Sequence, residues 1–236
     1  MWTLLQERRR EGAGAPFVTS IDAATGERTE LSAVSLENAA AKIANALRDE
    51  YDLEAGSVVG LHLPQHWQRS AWCAGVWTAG CIVAPWATDV DLVVTTAGPA
   101  GGLTDPTREV AVVSLHPFGL PVEDALPPGA HDVTLAVRQQ PDAYLYDLPS
   151  ASSPAFGMHG VLLDQSALLG VARERAESWG LEAGGRLLVG DAATPDDAWL
   201  AALAVPLAVR GSVVLVSEPA GDDRIAEQER VTARVR

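Results

Sequence analysis

Short runs of apolar residues alternate along the chain with longer segments in which apolar residues recur at helical spacing. In residues 36–47, apolar side chains return every three or four positions after Ser35, a residue type that often caps a helix. Residues 68–78 form a second such segment, rich in alanine and tryptophan. The strand-like runs are 57–63, 81–85, 91–96, 109–115, 143–146, 186–189 and 212–216. Alternation of this kind predicts β/α/β units with a mostly parallel sheet.

The N-terminal region predicts a different local structure. Residues 16–21 and 28–31 are β-like, and the short segment between them contains Gly26, which favours an antiparallel ribbon. The fold class we expect is α/β: a three-layer α/β/α sandwich with a mostly parallel sheet and this small N-terminal ribbon. Residues 1–219 are predicted to form a single domain, and the charged residues 220–236 a fraying helix or a tail.

The composition is that of an ordinary globular protein with an acidic excess. Among 236 residues, 31 are acidic and 17 are basic, which gives a formal charge of −14. Because nucleic acids and anionic membranes are also negative, this charge argues against both as partners. The N-terminus places apolar residues before its arginines, unlike a secretory signal, and no apolar run has the length of a membrane span. We therefore expect a cytoplasmic protein in which Cys73 and Cys81 are buried thiols.

Residues 29–85 carry an ordered set of motifs. A helix is followed by a glycine and a strand ending in Leu-Pro, and then by an alanine-rich helix ending in Ala-Gly before the next strand. This order resembles the opening of the acyl-adenylate-forming (AMP-binding) enzymes, with their "xGDxVxxxLPN" and "AGAVxxPl" patterns. Downstream, residues 141–146 resemble the strand "DDPAxIxY" of that superfamily, and residues 160–169 resemble "KGVxLTHxNLL". The matching positions in the first region are Gly56, Leu63, Pro64, Ala79, Gly80, Val83 and Pro85.

The resemblance covers roughly residues 3–216 and implies the fold of the first part of the large N-terminal domain of those enzymes. It also implies that their adenine-binding segment, their ribose-binding aspartate motif and their C-terminal domain with its catalytic lysine would lie beyond Arg236. We therefore expect a truncated member of the superfamily. The only lysine of the chain, Lys42, lies in the first long helix and matches no catalytic motif.

The segment between Tyr146 and Gly160 decides the functional interpretation. The adenylating enzymes place Thr-Ser-Gly-Thr-Thr-Gly-x-Pro-Lys here, whose glycines and N–H groups bind the ATP phosphates. This chain has two prolines in the segment, which lack an N–H group, and His159 in place of the lysine. Either a degenerate phosphate loop retains some ATP or AMP binding, or the segment is a plain surface loop. The candidate residues for such binding are Ser150, Ser152, Ser153, Gly157 and His159.

Other polar residues have a chemical and a structural interpretation each, and the structural one is favoured. His62 and His66 have the spacing of a helical zinc site, but Pro64 between them breaks the helix. Asp89 and Asp91 would share one face of a strand, as magnesium ligands or as a solvated pair. His116 and His131 are interpreted as surface histidines, and Asp191, Asp196 and Asp197 as acidic residues near a helix N-terminus. Trp67, Trp72 and Trp77 are five residues apart, so they cannot share one face of a helix.

The sequence predicts a non-catalytic relative of the adenylate-forming enzymes. It would bind a small nucleotide-like or acyl ligand, or a protein partner that includes a second copy of itself, with no resident cofactor, catalytic residue or metal. Two alternatives remain open. The chain is an enzyme with altered chemistry around Asp147 and His159, or it supplies half of a site that a separate protein completes.

Overall fold

The computed structural model describes residues 1–12, 14–105, 107–190, 193–217 and 222–235. Its helices are α1 (Trp2–Glu11), α2 (Ala33–Asp49), α3 (Trp67–Thr78), α4 (Ala97–Ala100), α5 (Thr134–Gln139), α6 (Gln165–Ser178), α7 (Pro195–Ala202), α8 (Ala204–Ala208) and α9 (Asp222–Gln228). Its strands are β1 (Pro16–Asp22), β2 (Arg28–Ser32), β3 (Val58–His62), β4 (Ile82–Pro85), β5 (Leu92–Thr95), β6 (Glu109–Val112), β7 (Ala130–Asp132), β8 (Pro154–Met158), β9 (Val161–Asp164), β10 (Arg186–Val189), β11 (Ser212–Ser217) and β12 (Ala233–Arg234).

Contacts between residues divide the chain into two compact units, whereas the sequence predicts a single domain over 1–219. The first unit comprises Met1–Glu37, Pro64–Ser70 and Ser166–Arg236. The second comprises Asn38–Leu63 and Ala71–Gln165. Each unit contains one β-sheet.

The sheet of the first unit has the strand order β12-β10-β11-β1-β2. The hairpin of β1 and β2 is antiparallel, as the sequence predicts for the N-terminal ribbon, and β1, β10, β11 and β12 pair in parallel. Where the sequence predicts a fraying helix or a tail, α9 is followed by β12, which joins the edge of this sheet. Glu229 holds the segment in place because its carboxylate accepts hydrogen bonds from Arg28 (2.7 Å) and Arg186 (2.7 Å).

The sheet of the second unit has the strand order β7-β6-β5-β3-β4-β8-β9. Its strands are parallel except for β9, which returns antiparallel beside β8. The central strands consist almost entirely of buried aliphatic side chains, such as Leu61 and Val93, as expected for a parallel sheet covered on both faces. The predicted fold class, α/β with mostly parallel strands and a small antiparallel ribbon, is confirmed.

The prediction of a strand over residues 143–146 is wrong. This segment follows α5 as irregular chain, and its backbone is bound by side chains of α2 instead of by a neighbouring strand. Asn45 Nδ2 donates to the carbonyl oxygens of Pro141 and Ala143 (both 3.1 Å). Lys42 Nζ donates to the carbonyl oxygen of Gln140 (2.6 Å) and forms an ion pair with Asp142 (2.8 Å). A strand cannot form here because these carbonyl groups already have partners outside any ladder.

Three further differences concern element ends and short elements. Ser32, not Ser35, caps α2, because its Oγ accepts the N–H of Ser35 (3.1 Å). The helix predicted over 196–209 is divided into α7 and α8 at Leu203. The short elements β7 and α5 have three and six residues, too few for a hydrophobic period to predict them. None of the described helices has the length and apolar character needed to cross a membrane.

Helix α3 packs against α2 at Gly75. All residues from 68 to 78 are buried, so no face of this part of α3 is open to solvent. A Cβ placed on Gly75 would lie 2.4 Å from Ile43 Cγ2 of α2 and 3.2 Å from the Ala40 carbonyl oxygen. The two helices can therefore approach this closely only because position 75 has no side chain.

Gly75→Ala is expected to lower the free energy of unfolding by about 1–3 kcal/mol, because the clash with Ile43 outweighs the better helix propensity of alanine. Gly170→Ala in α6 is the matched control, since nothing lies within 4 Å of its Cβ position. That variant is expected to gain about 0.5–1 kcal/mol. Urea unfolding followed by circular dichroism measures both. Equal effects of the two substitutions would contradict the close contact.

Candidate functional site

Strand β8 lies between Tyr146 and Gly160, in the segment where the sequence resemblance predicts a phosphate loop. It pairs in parallel with β4 through Phe156 and Val83, and its register with β9 shifts between Pro154 and Phe156. The shift leaves Ala155 as an irregular residue, and its carbonyl oxygen accepts the indole N–H of Trp77 (2.8 Å). Trp77 is only 1% exposed, so this hydrogen bond is shielded from water. It fixes Pro154–Met158 as the strand beside β4.

The connection from β8 to β9 is a two-residue turn. Met158 pairs with Val161, so His159 and Gly160 alone join the strands. Both have positive φ angles, +52° for His159 and +77° for Gly160, which is the pattern of a type I′ turn. This turn follows the right-handed twist of the strands, and glycine adopts the left-handed conformation without steric cost. No loop long enough to surround a phosphate group lies between β8 and β9.

The three candidate serines lie together at the other end of β8. Ser150 Oγ is 3.1 Å from Ser152 Oγ and 3.2 Å from Ser153 Oγ, and the N–H of Ser150 donates to Ser153 Oγ (3.0 Å). Their hydroxyl groups therefore bind one another just before β8 begins. An extended strand advances roughly 3.3 Å per residue, so Ser153 and His159 are on the order of 15–20 Å apart.

The predicted phosphate-loop residues are thus divided between opposite edges of the sheet. The serines lie at the amino end of β8 and His159 at its carboxyl end. Gly157 lies within β8, opposite Leu162, where a Cβ would make only ordinary contacts with Ile82 (3.7 Å) and Leu162 (3.9 Å).

The histidines and aspartates with a metal interpretation have structural partners. His62 Nε2 is 2.8 Å from the carbonyl oxygen of Ala87. His66 Nδ1 accepts the N–H of Gln68 (3.3 Å), and burial lowers the pKa of His66 to about 4, so the ring is neutral at pH 7. Asp91 Oδ2 accepts the N–H of Val58 (2.7 Å). Within the described residues, no group of three or more His, Cys, Asp or Glu side chains has the arrangement of a metal site.

The other candidates also take part in local structure. Asp197 is buried, and its carboxylate accepts a hydrogen bond from the Thr194 hydroxyl (2.9 Å) and forms an ion pair with Arg175 (3.1 Å). Asp191 lies outside the described residues. Burial raises the pKa of the Cys81 thiol to about 12, so it is not a nucleophile at neutral pH. Cys73 is also a buried thiol that forms no disulfide. The two histidines predicted at the surface also take part in hydrogen bonds. His131 Nε2 lies 2.8 Å from Tyr51 Oη, and His116 Nδ1 accepts the N–H of Phe118 (3.1 Å).

Sequence reasoning missed that Pro154–Met158, and not residues 143–146, is the strand before Gly160. A local signal was present, because His159-Gly160 between two short β-like runs fits a two-residue hairpin. The tyrosines of 143–146 have high β propensity and obscured it. Of the three tryptophans, Trp72 and Trp77 are each 1% exposed although they lie on different faces of α3, because this helix is buried on all sides from residue 68 onward. Trp67, the first residue of the helix, is partly exposed.

Comparison with known sequences finds a relative that matches almost the whole chain. No protein-family model matches the chain. A protein of Mycobacterium tuberculosis described as a TIGR03089 family protein is 35% identical over 246 residues, which cover 98% of this chain and 94% of that protein.

Solved structures of larger proteins share the fold. An acyl-CoA synthetase of Brucella canis superimposes with a TM-score of 0.79 at 21% sequence identity, and the match covers 98% of this chain and 46% of the synthetase chain. Acetoacetyl-CoA synthetase of Streptomyces lividans gives a TM-score of 0.74 at 18% identity, and the match covers 97% of this chain and 41% of the synthetase. Coronafacic acid ligase of Pectobacterium brasiliense gives a TM-score of 0.70 at 14% identity, and the match covers 97% of this chain and 46% of the ligase. The chain spans a little under half the length of these structures. The resemblance to adenylate-forming enzymes is confirmed at the level of the fold.

Trp77→Phe is expected to lower the free energy of unfolding by about 2–4 kcal/mol, because it leaves the Ala155 carbonyl unpaired and removes buried volume. Trp67→Phe is the matched control, since its indole N–H is buried without a hydrogen-bond partner among the described residues. That change should cost about 0–1 kcal/mol. Guanidinium unfolding measures both. If the two variants were equally stable, Trp77 would not anchor β8.

Acid is expected to destabilise the protein partly through His66. Because its folded pKa of about 4 lies below the ordinary 6.5, the unfolded chain binds the proton first, and stability falls as the pH drops from about 6.5 to 4. Over this pH range, the free energy of unfolding of His66→Gln should fall by on the order of 2–3 kcal/mol less than that of the unmodified protein. Thermal unfolding at several pH values measures the difference. His116→Gln is the matched control, because His116 also accepts the N–H of the residue two positions later.

Proposed function

Because the chain belongs to the TIGR03089 family and shares the fold of the adenylate-forming enzymes, we propose that it acts by binding and does not activate carboxylates with ATP. One observation carries this proposal: His159 and Gly160 alone connect the two strands between which those enzymes hold the triphosphate. The likeness to larger enzymes concerns the fold, and the loop that their chemistry needs is replaced here by a tight turn.

The electrostatics of the chain support the same proposal. A triphosphate needs several N–H donors and cations arranged before it binds. The type I′ turn supplies two backbone N–H groups at most, and the formal charge of −14 repels an anionic ligand. The only lysine is held by the Gln140 carbonyl group and Asp142. The serines, which could donate hydrogen bonds to a phosphate, lie at the opposite end of β8 and bind each other.

The binding role we propose requires no resident cofactor or metal and operates in the cytoplasm. Its target is a small molecule or a protein, including a second copy of this chain. Nucleic acids and anionic membranes are excluded by charge. An enzyme with altered chemistry around Asp147 and His159 is disfavoured, because the serines that could assist His159 lie at the opposite end of β8.

A second candidate function is half of a shared site. It is favoured by the coverage, since the chain accounts for 41–46% of the synthetases whose fold it shares. In this case a separate protein would supply the adenine-binding and catalytic parts. The discriminating observation is activity that arises only when both proteins are present.

The chain with ATP, magnesium and a pool of carboxylic acids is expected to release no pyrophosphate, and ATP or AMP should not raise its melting temperature.

Two variants test whether residues 159 and 160 serve as a structural turn or as part of a ligand site. His159→Asn should keep or raise stability by up to about 1 kcal/mol, because Asn-Gly is the preferred type I′ pair. Gly160→Ala should cost about 1–2 kcal/mol through left-handed strain.

Pyrophosphate release by the purified chain would overturn the binding proposal, and so would an ATP-induced thermal shift that His159→Asn abolishes. If release occurs only after a protein that co-purifies with the chain from its host is added, the shared site is correct. If such a complex is silent with every acid, the shared site is wrong.

A further inference from the structure

A cleft of about 380 Å³ lies in the second unit, at the carboxyl ends of β5 and β6. Its floor and sides come from the turns that follow these strands, which include Thr96 and Gly98 after β5 and Ser114 and His116 after β6. The opposite wall is the loop segment that contains Glu123 and Asp124. This volume lies in the range of about 300–1,000 Å³ that is typical of small-molecule sites.

The cleft lies on the carboxyl side of the parallel sheet, one strand away from its switch point. From β3 the chain continues through α3 to β4 on one side, and from β5 it continues through α4 to β6 on the other. The crossover connections thus diverge between β3 and β5, which makes this the switch point of the sheet. The cleft opens on the same carboxyl side, where such crevices form.

The loop that forms the outer wall is held in place although it has no helix or strand. The Asp132 carboxylate accepts the N–H of Val122 through one oxygen and the N–H of Thr134 through the other (both 2.7 Å). Arg138 Nη1 donates to the carbonyl oxygen of Gly119 (3.0 Å). Glu123 directly follows the anchored Val122, and the exposed residues Glu123 and Asp124 both line the cleft.

The lining of the cleft selects the class of ligand. Its charged side chains are Glu123 and Asp124, and no lysine or arginine is among the described residues that line it. The apolar part is formed by residues such as Val113, Leu115 and Val122. An anionic ligand would meet like charges here, whereas an alkylammonium ion would meet two carboxylates and could place its hydrocarbon part on the apolar surface.

We propose that this cleft binds a small organic ammonium ion, with the amine between Glu123 and Asp124 and the carbon chain against the apolar wall. The inference rests on the proposed binding role and gives it a site and a ligand class. Its test reads amine binding, and the test of the binding role reads pyrophosphate, so the two can fail separately. Thr96 and Ser114 also line the cleft, and their hydroxyl oxygens can accept hydrogen bonds from an ammonium group.

The test titrates the full chain with hexylamine and, in parallel, with hexanol and hexanoate, and follows amide chemical shifts by NMR. We expect hexylamine to shift the amides of 96–98 and 113–124, hexanol to act weakly on the same residues, and hexanoate to have no effect. The double variant Glu123→Gln, Asp124→Asn should bind hexylamine about tenfold more weakly, a loss of about 1.4 kcal/mol.

The matched control is Glu174→Gln, Glu177→Gln on the exposed face of α6, which changes the net charge by the same amount in the other unit. It should leave the affinity for hexylamine unchanged. Equal weakening in both double variants would mean non-specific attraction to an acidic protein and would overturn the proposal. Binding of hexanoate as strong as that of hexylamine, or no saturable shift at millimolar amine, would also overturn it.

Discussion

The hydrogen bond from the Trp77 indole to the Ala155 carbonyl group is the constraint on which the functional interpretation depends. It lies out of contact with water and joins a buried helix to the one irregular residue of β8. Because Ala155 is held there, Pro154–Met158 is the strand that pairs with β4, and the next strand begins after only two more residues. The hydrogen bond thus helps to hold the strand from which the two-residue turn to β9 departs.

The two ends of β8 consequently have different chemical character. The amino end carries hydroxyl groups that satisfy one another, and the carboxyl end carries a tight turn with two left-handed residues. Neither offers the converging donors and cations that a nucleotide needs. The built cavity of the second unit lies elsewhere, beside β5 and β6, and its carboxylates have the opposite preference in charge from the site of an adenylating enzyme.

Local patterns were sufficient for most of the fold. The apolar runs of β3, β10 and β11 and the helical spacing of α2 are visible in the sequence because burial on a parallel sheet demands them. The motif order around Gly56 and Pro85 was sufficient for the fold family. In contrast, β12 is two residues long and lies in a charged segment, so only its pairing with β10 reveals it.

The candidate site was predicted less well, for a physical reason. Tyr144 and Tyr146 have strong β propensity, yet Asn45 and Lys42, about a hundred residues earlier, bind the backbone around them. Contacts at such separation leave no periodic signal. Likewise, the division of the serines from His159 depends on which strand lies next to β4, and the pairing of Phe156 with Val83, more than seventy residues earlier, leaves no local pattern.

The attachment of Lys42 to the segment after α5 has a practical consequence for experiments on this molecule. The chain has no other ε-amino group, and the other primary amine, at the N-terminus, is largely buried. Reagents that couple to primary amines, such as those used to immobilise proteins on sensor surfaces or to attach fluorophores, would react with a group that holds the backbone of residues 140–142. Attachment through an appended tag would spare that anchor.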